Sequence, residues 1–244
     1  MTYQENYQKW LDFAELPAYL RDELVAMDEK TKEDAFYTNL EFGTAGMRGL
    51  IGAGTNRINI YVVRQATEGL AQLIDSKGEE AKKRGVAIAY DSRHFSPEFA
   101  FESAQVLAAH GIKSYVFESL RPTPELSFAV RHLHTFAGIM VTASHNPAPF
   151  NGYKVYGEDG GQMPPADADA LTDYIRAIEN PFTVQLADLE ESKANGLIEV
   201  IGENVDAEYL KEVKGVNINQ DLINEYGRDM KIVYTPLHGT GEML

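Results

Sequence analysis

Three short apolar segments, separated by helix-length stretches, constrain the fold of this chain most strongly. They are GVAIAY (85–90), SYVFES (114–119) and FAGIMVT (136–142). A short, nearly continuous apolar run is typical of a strand that is buried on both faces of a sheet. Strands that alternate with helices through short connections form layered α/β domains. The pattern therefore predicts an α/β/α domain with a largely parallel, mixed sheet.

The stretches between these segments carry helix start and stop signals. Ser96-Pro97-Glu98 fits an N-cap, a first-turn proline and an early acid, and Thr123-Pro124-Glu125 repeats that pattern. His110 and Gly111 fit the end of the first of these helices, where a positive charge and a glycine are favourable. Further upstream, apolar residues at steps of three and four predict another helix, and they are Ile60, Val63, Thr67, Leu70 and Ile74.

The flanking segments suggest the domain boundaries. Residues 1–40 are polar with scattered apolar anchors, which predicts short helices in an N-terminal extension. Residues 41–204 hold the strands and helices of the layered domain. Residues 205–244 contain two predicted helices and end in KIVYTPLHGTGEML, where an apolar strand and a glycine turn predict the start of a second α/β domain. We therefore expect an N-terminal fragment with an incomplete second domain.

Charge and composition exclude several classes of protein. The chain has 22 Lys and Arg against 37 Asp and Glu, a net charge of −15 that argues against nucleic acid or an anionic membrane as a partner. It has no cysteine, which excludes disulfides and thiolate zinc sites. The start has no apolar signal region, and no stretch reaches the about 18 apolar residues of a membrane helix. We expect a soluble cytoplasmic protein.

The segment VTASHNPAPFNGYKVY (141–156) places Ser144 and His145 directly after the third predicted strand. In open α/β sheets, ligands bind outside the carboxyl ends of the strands. The G-x-S-x-G nucleophile elbow of serine hydrolases is absent, and adjacent side chains rarely face each other in an extended loop. On this segment alone, a turn in which Ser144 and Asn146 cap backbone groups is an equal alternative to a reactive serine.

Two cationic residues favour an anion site, although each has a structural alternative. Arg48 lies in GTAGMRG, where backbone N–H groups can form an anion nest, or it is a solvated arginine in a tight turn. Lys154 lies on a predicted strand, where it serves a ligand or protects a sheet edge. Asp91 and Arg93 follow the first buried strand, and a structural ion pair is at least as favoured there as a ligand contact.

Three segments together resemble the α-D-phosphohexomutase family, which includes phosphoglucomutases and phosphomannomutases. They are EFGTAGMRG, GIMVTASHNPAPFNGYKVYGEDGGQ and YTPLHGTG. The T-[AG]-S-H-N-P pattern within the second is a highly specific signature of that family. The GTAGMRG motif and the N-terminal extension resemble the phosphoglucomutase/phosphopentomutase branch of this family. Family members have four domains, so the resemblance implies that this chain supplies the first domain and the opening of the second.

The resemblance implies an isomerase that works through a phosphoserine. Ser144 would carry a phosphoryl group, give it to a hexose phosphate and recover the other phosphate from a glucose 1,6-bisphosphate intermediate. The implied cofactor is Mg²⁺, with Ser144 as one of its ligands. Arg48 and Lys154 would line the phosphate site, Lys154 or a neighbour would move the proton of the sugar hydroxyl, and His145 would order the serine loop. The residues implied to be catalytic or to bind phosphate, besides Ser144, are Thr44, Arg48, His145, Asn146 and Lys154.

The sequence also departs from the family pattern. It has no D-G-D-x-D-R metal loop, no G-E-x-S-G sugar loop and no phosphate-binding loop of the fourth domain. We therefore expect the fragment itself to be inactive. A glucose phosphate is the favoured substrate because of the branch resemblance, and mannose and pentose phosphates are alternatives. A non-catalytic binding domain on the same fold, or a serine-based phosphatase or transferase of another family, is the remaining alternative.

Overall fold

The computed structural model describes residues 2–43 and 46–244, and its first forty residues contain three short helices. They are Tyr3–Asp12 (α1), Ala18–Ala26 (α2) and Glu29–Phe36 (α3). Helix α1 starts with a capping box between Thr2 and Glu5. Trp10 is only 2% exposed and contacts the ring of Phe36 edge-on. The scattered apolar anchors of this segment therefore mark the buried side of short helices.

Residues 47–215 form one sheet with helices on both faces, and one further helix, Gln220–Tyr226, follows outside this packed part. Its strands are Met47–Leu50 (β1), Val86–Tyr90 (β2), Ser114–Phe117 (β3), Ala137–Val141 (β4), Phe150–Tyr156 (β5) and Ile198–Ile201 (β6). The helices are Ile60–Lys77 (α4), Glu79–Arg84 (α5), Ser96–Ala109 (α6), Thr123–His132 (α7), Pro165–Ala177 (α8), Leu189–Ala194 (α9), Glu203–Gly215 (α10) and Gln220–Tyr226 (α11). None of the helices within the described ranges is long and apolar enough to cross a membrane.

The sheet has the order β1-β5-β4-β2-β3-β6. Strands β4, β2, β3 and β6 are parallel, whereas β5 pairs antiparallel with both β4 and β1. The predicted largely parallel, mixed sheet is thus confirmed. The apolar segments at 85–90, 114–119 and 136–142 contain β2, β3 and β4, which lie side by side. Strand β6 has only four residues, two of them exposed, and therefore no apolar run in the sequence predicted it.

Alternate residues of β2 face the two helical layers. Val86 and Ile88 pack with α4 and α6 in the larger core, while Ala87 and Ala89 pack with α7 in the smaller one. All five residues of β2 are buried because helices cover both faces of the sheet. The predicted α/β/α layering follows from this two-sided burial.

The starts of α6 and α7 differ from the prediction by one position. Phe95, with φ 63°, is the N-cap of α6, and Ser96 is the first helical residue. The Ser96 hydroxyl does not cap the helix, because it donates to Oδ1 of Asp91 (3.1 Å) and accepts from Nδ2 of Asn151 (2.9 Å). Helix α7 begins at Thr123 after Pro122. Both motifs thus locate a helix start, but a tertiary contact redirects the serine.

The strand predicted after residue 230 is absent from the described structure. Residues 231–236 have no regular secondary structure, and Val233 is 99% exposed. An apolar run needs neighbouring strands to accept and donate its backbone hydrogen bonds, and no strand is beside this one. That these residues form the first strand of a second domain stays a prediction, since such a strand needs partners from outside this chain. The division into domains at residues 40 and 204 stays a prediction.

Candidate active site

A cleft of about 540 Å³ lies at the carboxyl ends of β2 and β4. Its walls are the turn after β2 (91–94), the start of α7, the loop after β4 and residues 238–240. The loop that joins β4 to β5, residues 142–149, is called the Ser144 loop below. This is the edge of the sheet at which the sequence predicts a ligand site.

Ser144 is an exposed residue in a strained backbone conformation. Its φ is +55°, in the left-handed region that side-chain-bearing residues rarely adopt, at a typical cost of about 1–3 kcal/mol. Its N–H donates to Oγ1 of Thr142 (2.9 Å), and that hydroxyl donates to Oδ2 of Asp91 (2.6 Å). The Ser144 hydroxyl lies 3.4 Å from Nδ1 of His145, a long contact that leaves Ser144 exposed. The backbone is held firmly while the hydroxyl faces solvent.

Arg93 contacts the Ser144 loop through backbone carbonyls. Four of its N–H groups donate at 2.6–3.0 Å, and the accepting carbonyls belong to Ser144, Asn146, Pro147 and Phe150. Its Nε lies 3.4 Å from a carboxylate oxygen of Asp91. Asp91 and Arg93 thus form the structural ion pair that the sequence analysis gave as the alternative to a ligand contact. Their importance for the loop was missed, because the only sequence signal was their place directly after a buried strand.

Lys154 lies on β5, opposite Met140 of β4, and its side chain is largely buried. Burial lowers the pKa of Lys154, and the nearby charge of Arg48 lowers it further. On the other side, Gly46 has a φ of +96°, and any side chain there would collide with the backbone of Tyr153. The lysine is therefore held in a narrow, partly desolvated place between two strands.

Arg48 is exposed on β1, opposite Gly152 of β5. Its Nη1 donates to Oδ1 of Asn146 (3.3 Å), which ties the edge strand to the Ser144 loop. The structure thus places Ser144 and Asn146 in the lining of the cleft, and Arg48 contacts Asn146 from β1. Arg48 and Lys154 lie beside the cleft and are not among its lining residues, and Lys154 is close enough to Arg48 for that charge to lower its pKa. His145 is an exposed neighbour of Ser144 in the same loop. The remaining predicted residue, Thr44, lies outside the described residues.

The cleft does not by itself fit a resident metal ion. Within residues 2–43 and 46–244, no three His, Cys, Asp or Glu side chains are grouped so that they could hold one. Asp91 lines the cleft, but its Oδ1 accepts from Ser96 and from the N–H of Arg93, and its Oδ2 accepts from Thr142. One serine oxygen with water is a weak site for Mg²⁺, which gives up its waters reluctantly.

The sequence of this chain matches one family profile and several curated proteins. A family profile described as "Phosphoglucomutase/phosphomannomutase, alpha/beta/alpha domain I" matches residues 39–182, which include the Ser144 loop and β1 to β5. Curated relatives include the phosphoglucomutases of Staphylococcus saprophyticus and Staphylococcus haemolyticus, each 40% identical to this chain. The matches cover 91% and 98% of this chain, but 39% and 41% of those two proteins. The chain therefore spans about two-fifths of the length of the curated relatives it matches.

Solved structures support the fold. A phosphoglucomutase/phosphomannomutase family protein from Burkholderia thailandensis matches with a TM-score of 0.54 and 21% identity, over 73% of this chain and 36% of its own. Parafusin, a phosphoglucomutase from Paramecium, matches in its open form with a TM-score of 0.52 and 19% identity, over 75% and 36%. At such low identity these likenesses concern the fold alone.

Proposed function

The chain belongs to the phosphoglucomutase/phosphomannomutase family, and on that premise we propose that it forms the phosphoryl-carrying part of an enzyme that interconverts glucose 1-phosphate and glucose 6-phosphate. One observation carries the proposal. An exposed serine, Ser144, sits in a strained left-handed conformation at the carboxyl end of a central strand, in a loop whose Asn146 is hydrogen-bonded to the exposed Arg48. Strain of this kind concentrates at functional sites.

The proposed reaction moves a phosphoryl group twice. In the first step the bond between phosphorus and Oγ of Ser144 breaks, and a bond forms between phosphorus and a hydroxyl oxygen of the hexose phosphate. The product is glucose 1,6-bisphosphate. In the second step the other phosphate of that intermediate returns to Ser144, and its sugar oxygen regains a proton. No net phosphate or water is consumed, which defines an isomerase.

Lys154 is the proposed carrier of the sugar proton. A lysine with an ordinary pKa is protonated at neutral pH and cannot accept a proton, whereas burial and the charge of Arg48 lower the pKa of Lys154. A lowered pKa increases the neutral fraction that can accept the proton when the sugar oxygen attacks. The protonated lysine can then return that proton to the oxygen of Ser144 as it leaves.

Arg48 and Asn146 are proposed to bind phosphate. Arg48 is exposed and donates one hydrogen bond to Oδ1 of Asn146, which lines the cleft, so its guanidinium is accessible to a phosphate bound next to Asn146. Arginine suits this role because its planar fork can bind two phosphate oxygens at once. Thr44 is proposed to contribute to the same site, and His145 to order the Ser144 loop. These cations would offset the negative charge of an otherwise acidic protein.

Mg²⁺ is the cofactor we propose for the complete enzyme, and it would neutralise charge on the transferred phosphoryl group. Since the described donors do not fit a resident ion, its other ligands would come from a part of the enzyme that the chain does not span. The phosphate oxygens of phosphorylated Ser144 would be the Mg²⁺ ligands that this chain contributes. The proposed compartment is the cytoplasm, where the phosphosugar substrates of such an enzyme occur and a cysteine-free chain needs no oxidising environment.

The test is to follow phosphate on Ser144 by mass spectrometry. The complete polypeptide encoded by the gene is incubated with Mg²⁺ and glucose 1,6-bisphosphate, and its peptides are mapped. We expect one phosphoryl group on Ser144, its loss when glucose 6-phosphate is added, and no modification of Ser144→Ala. Mannose and ribose phosphates, added in parallel, measure the preference for the sugar.

The alternatives give different results in the same experiment. A phosphomannomutase or a phosphopentomutase would discharge the phosphoserine faster with its own sugar phosphate. A phosphatase would release inorganic phosphate as the main product. A serine that never accepts phosphate would favour a non-catalytic binding domain and contradict the proposal.

A further inference from the structure

We propose that Arg93 is a positioning residue that holds the backbone of Ser144 in the geometry required for phosphoryl transfer, and that it is not a phosphate ligand. The inference rests on the proposed function of Ser144, because it states what keeps that serine in place. Nothing in the motif around Ser144 points to Arg93, which lies 51 residues earlier in the chain.

The first argument is that four of the five N–H donors of Arg93 are already used, while the fifth is buried and out of reach of a ligand. A guanidinium has five N–H donors in a rigid plane. Three of them donate to carbonyls of the Ser144 loop and one donates to the carbonyl of Phe150 at the start of β5. The fifth, on Nε, has no hydrogen-bond partner, but it is buried and lies 3.4 Å from the carboxylate of Asp91. The side chain is 12% exposed. An incoming phosphate would have to break these contacts, whereas the exposed guanidinium of Arg48 is accessible.

The second argument is that the loop has few bonds of its own. Two of its eight residues, Pro147 and Pro149, have no N–H to donate. Asn146 N–H donates to the carbonyl of Ala143, and few other backbone bonds stay within the loop. Because Arg93 gathers carbonyls from both ends, it substitutes for the missing backbone bonds.

The third argument concerns strain. A left-handed conformation at a serine persists only when its surroundings over-determine it. The N–H of Ser144 is fixed through Thr142 to Asp91, and its carbonyl is fixed by Arg93, so the peptide units on both sides of this residue are held. Asp91 and Arg93 stand two positions apart in one turn after β2. A single rigid turn thus sets the direction of the Ser144 side chain.

The experiment compares Arg93→Lys with a matched control, Arg131→Lys. Lysine keeps the positive charge but has a single ammonium, so it cannot reach four separate carbonyls. Arg131 is exposed at the far end of α7, and its Nε bonds only within its own helix. In each complete polypeptide, hydrogen–deuterium exchange is measured for residues 142–149 and for β2. The rate of phosphoryl transfer from glucose 1,6-bisphosphate to Ser144 is measured in single turnovers.

For Arg93→Lys we expect amide exchange in the Ser144 loop to become about tenfold faster, while β2 keeps its protection. We expect the transfer rate at saturation to fall about 100-fold, because a displacement of about 1 Å can cost that much. The half-saturating concentration of bisphosphate should change much less than the transfer rate, since Arg48 lies on β1 outside the loosened loop, although Asn146 lies within it. Arg131→Lys should match the parent protein in every measurement.

Two results overturn the inference. One is an Arg93→Lys protein with parental transfer rate and loop protection. The other is faster exchange in the loop and in β2 alike, which would make Arg93 a general stabiliser of the domain. If Ser144 of the parent protein accepts no phosphate, the proposed function fails separately. In that case, faster amide exchange confined to the Ser144 loop of Arg93→Lys would still support the positioning role of Arg93. Unchanged exchange in that loop would still refute it.

Discussion

Replacing His110 by glutamine should remove part of the pH dependence of stability between pH 6 and pH 9. His110 lies at the end of α6, where its Nε2 is 2.9 Å from a carboxylate oxygen of Glu68 and its Nδ1 is 2.7 Å from one of Asp75. Both carboxylates are on α4. Lys82 also binds Asp75 (2.8 Å), so the cluster joins α4, α5 and α6.

The magnitude follows from the shift in pKa. The hydrogen bond to Glu68 raises the pKa of His110 to about 9 from 6.5, burial opposes this, and Asp75 adds to the rise. A group whose pKa is raised on folding stabilises the protein fully below its unfolded pKa, and the effect is lost as the pH rises through its folded pKa. The full shift corresponds to at most about 3.4 kcal/mol. Because the imidazole keeps 21% exposure, solvent screening reduces the effect to roughly 1–2 kcal/mol.

The assay is urea unfolding at pH 6 and at pH 9, for the parent chain, His110→Gln and a control, His132→Gln. His132 is exposed near the end of α7 and stacks on Phe128, without a carboxylate partner in the described ion pairs. The parent and the control should each lose roughly 1–2 kcal/mol more than His110→Gln over this pH range. Equal losses of stability in all three proteins would show that Glu68 and Asp75 do not raise the pKa of His110.

Three further predictions concern the proposed site. Ser144→Ala in the complete polypeptide should remove nearly all mutase activity in a coupled glucose 6-phosphate assay, and retention of most of it would end the phosphoserine proposal. Lys154→Met should lower kcat by at least about 100-fold, which is the low end for a lost general base. Arg48→Ala should mainly weaken substrate binding, by about 1.5–3 kcal/mol. Parental kinetics in both variants would show that the proposed site is wrong. The 244-residue chain alone should show no specific high-affinity Mg²⁺ binding by calorimetry and no measurable glucose 1-phosphate isomerisation, because its described residues contain no group of three side chains that could hold the ion. Turnover that Ser144→Ala abolishes would contradict this.

The sequence by itself determined the layered sheet and the position of the candidate site on it. Continuous apolar runs report burial on both faces, and turn and cap residues report where strands and helices change over. These are local properties, so they can be read without knowing the partners. They were enough to predict β2, β3 and β4, to put Ser144 at the carboxyl end of a central strand, and to place Lys154 on the strand that follows.

Only the tertiary structure decided which groups meet. Arg93 reaches a loop 51 to 57 residues away, His110 binds carboxylates 35 and 42 residues away, and buried Arg121 pairs with Asp206 across 85 residues. The apolar run after residue 230 failed to become a strand for the converse reason, because no neighbouring strand meets it. Such contacts depend on packing between distant segments, and charge or hydrophobicity along the chain does not encode their partners. The left-handed backbone of Ser144 is of the same kind, since it is stable only where Thr142, Asp91 and Arg93 converge.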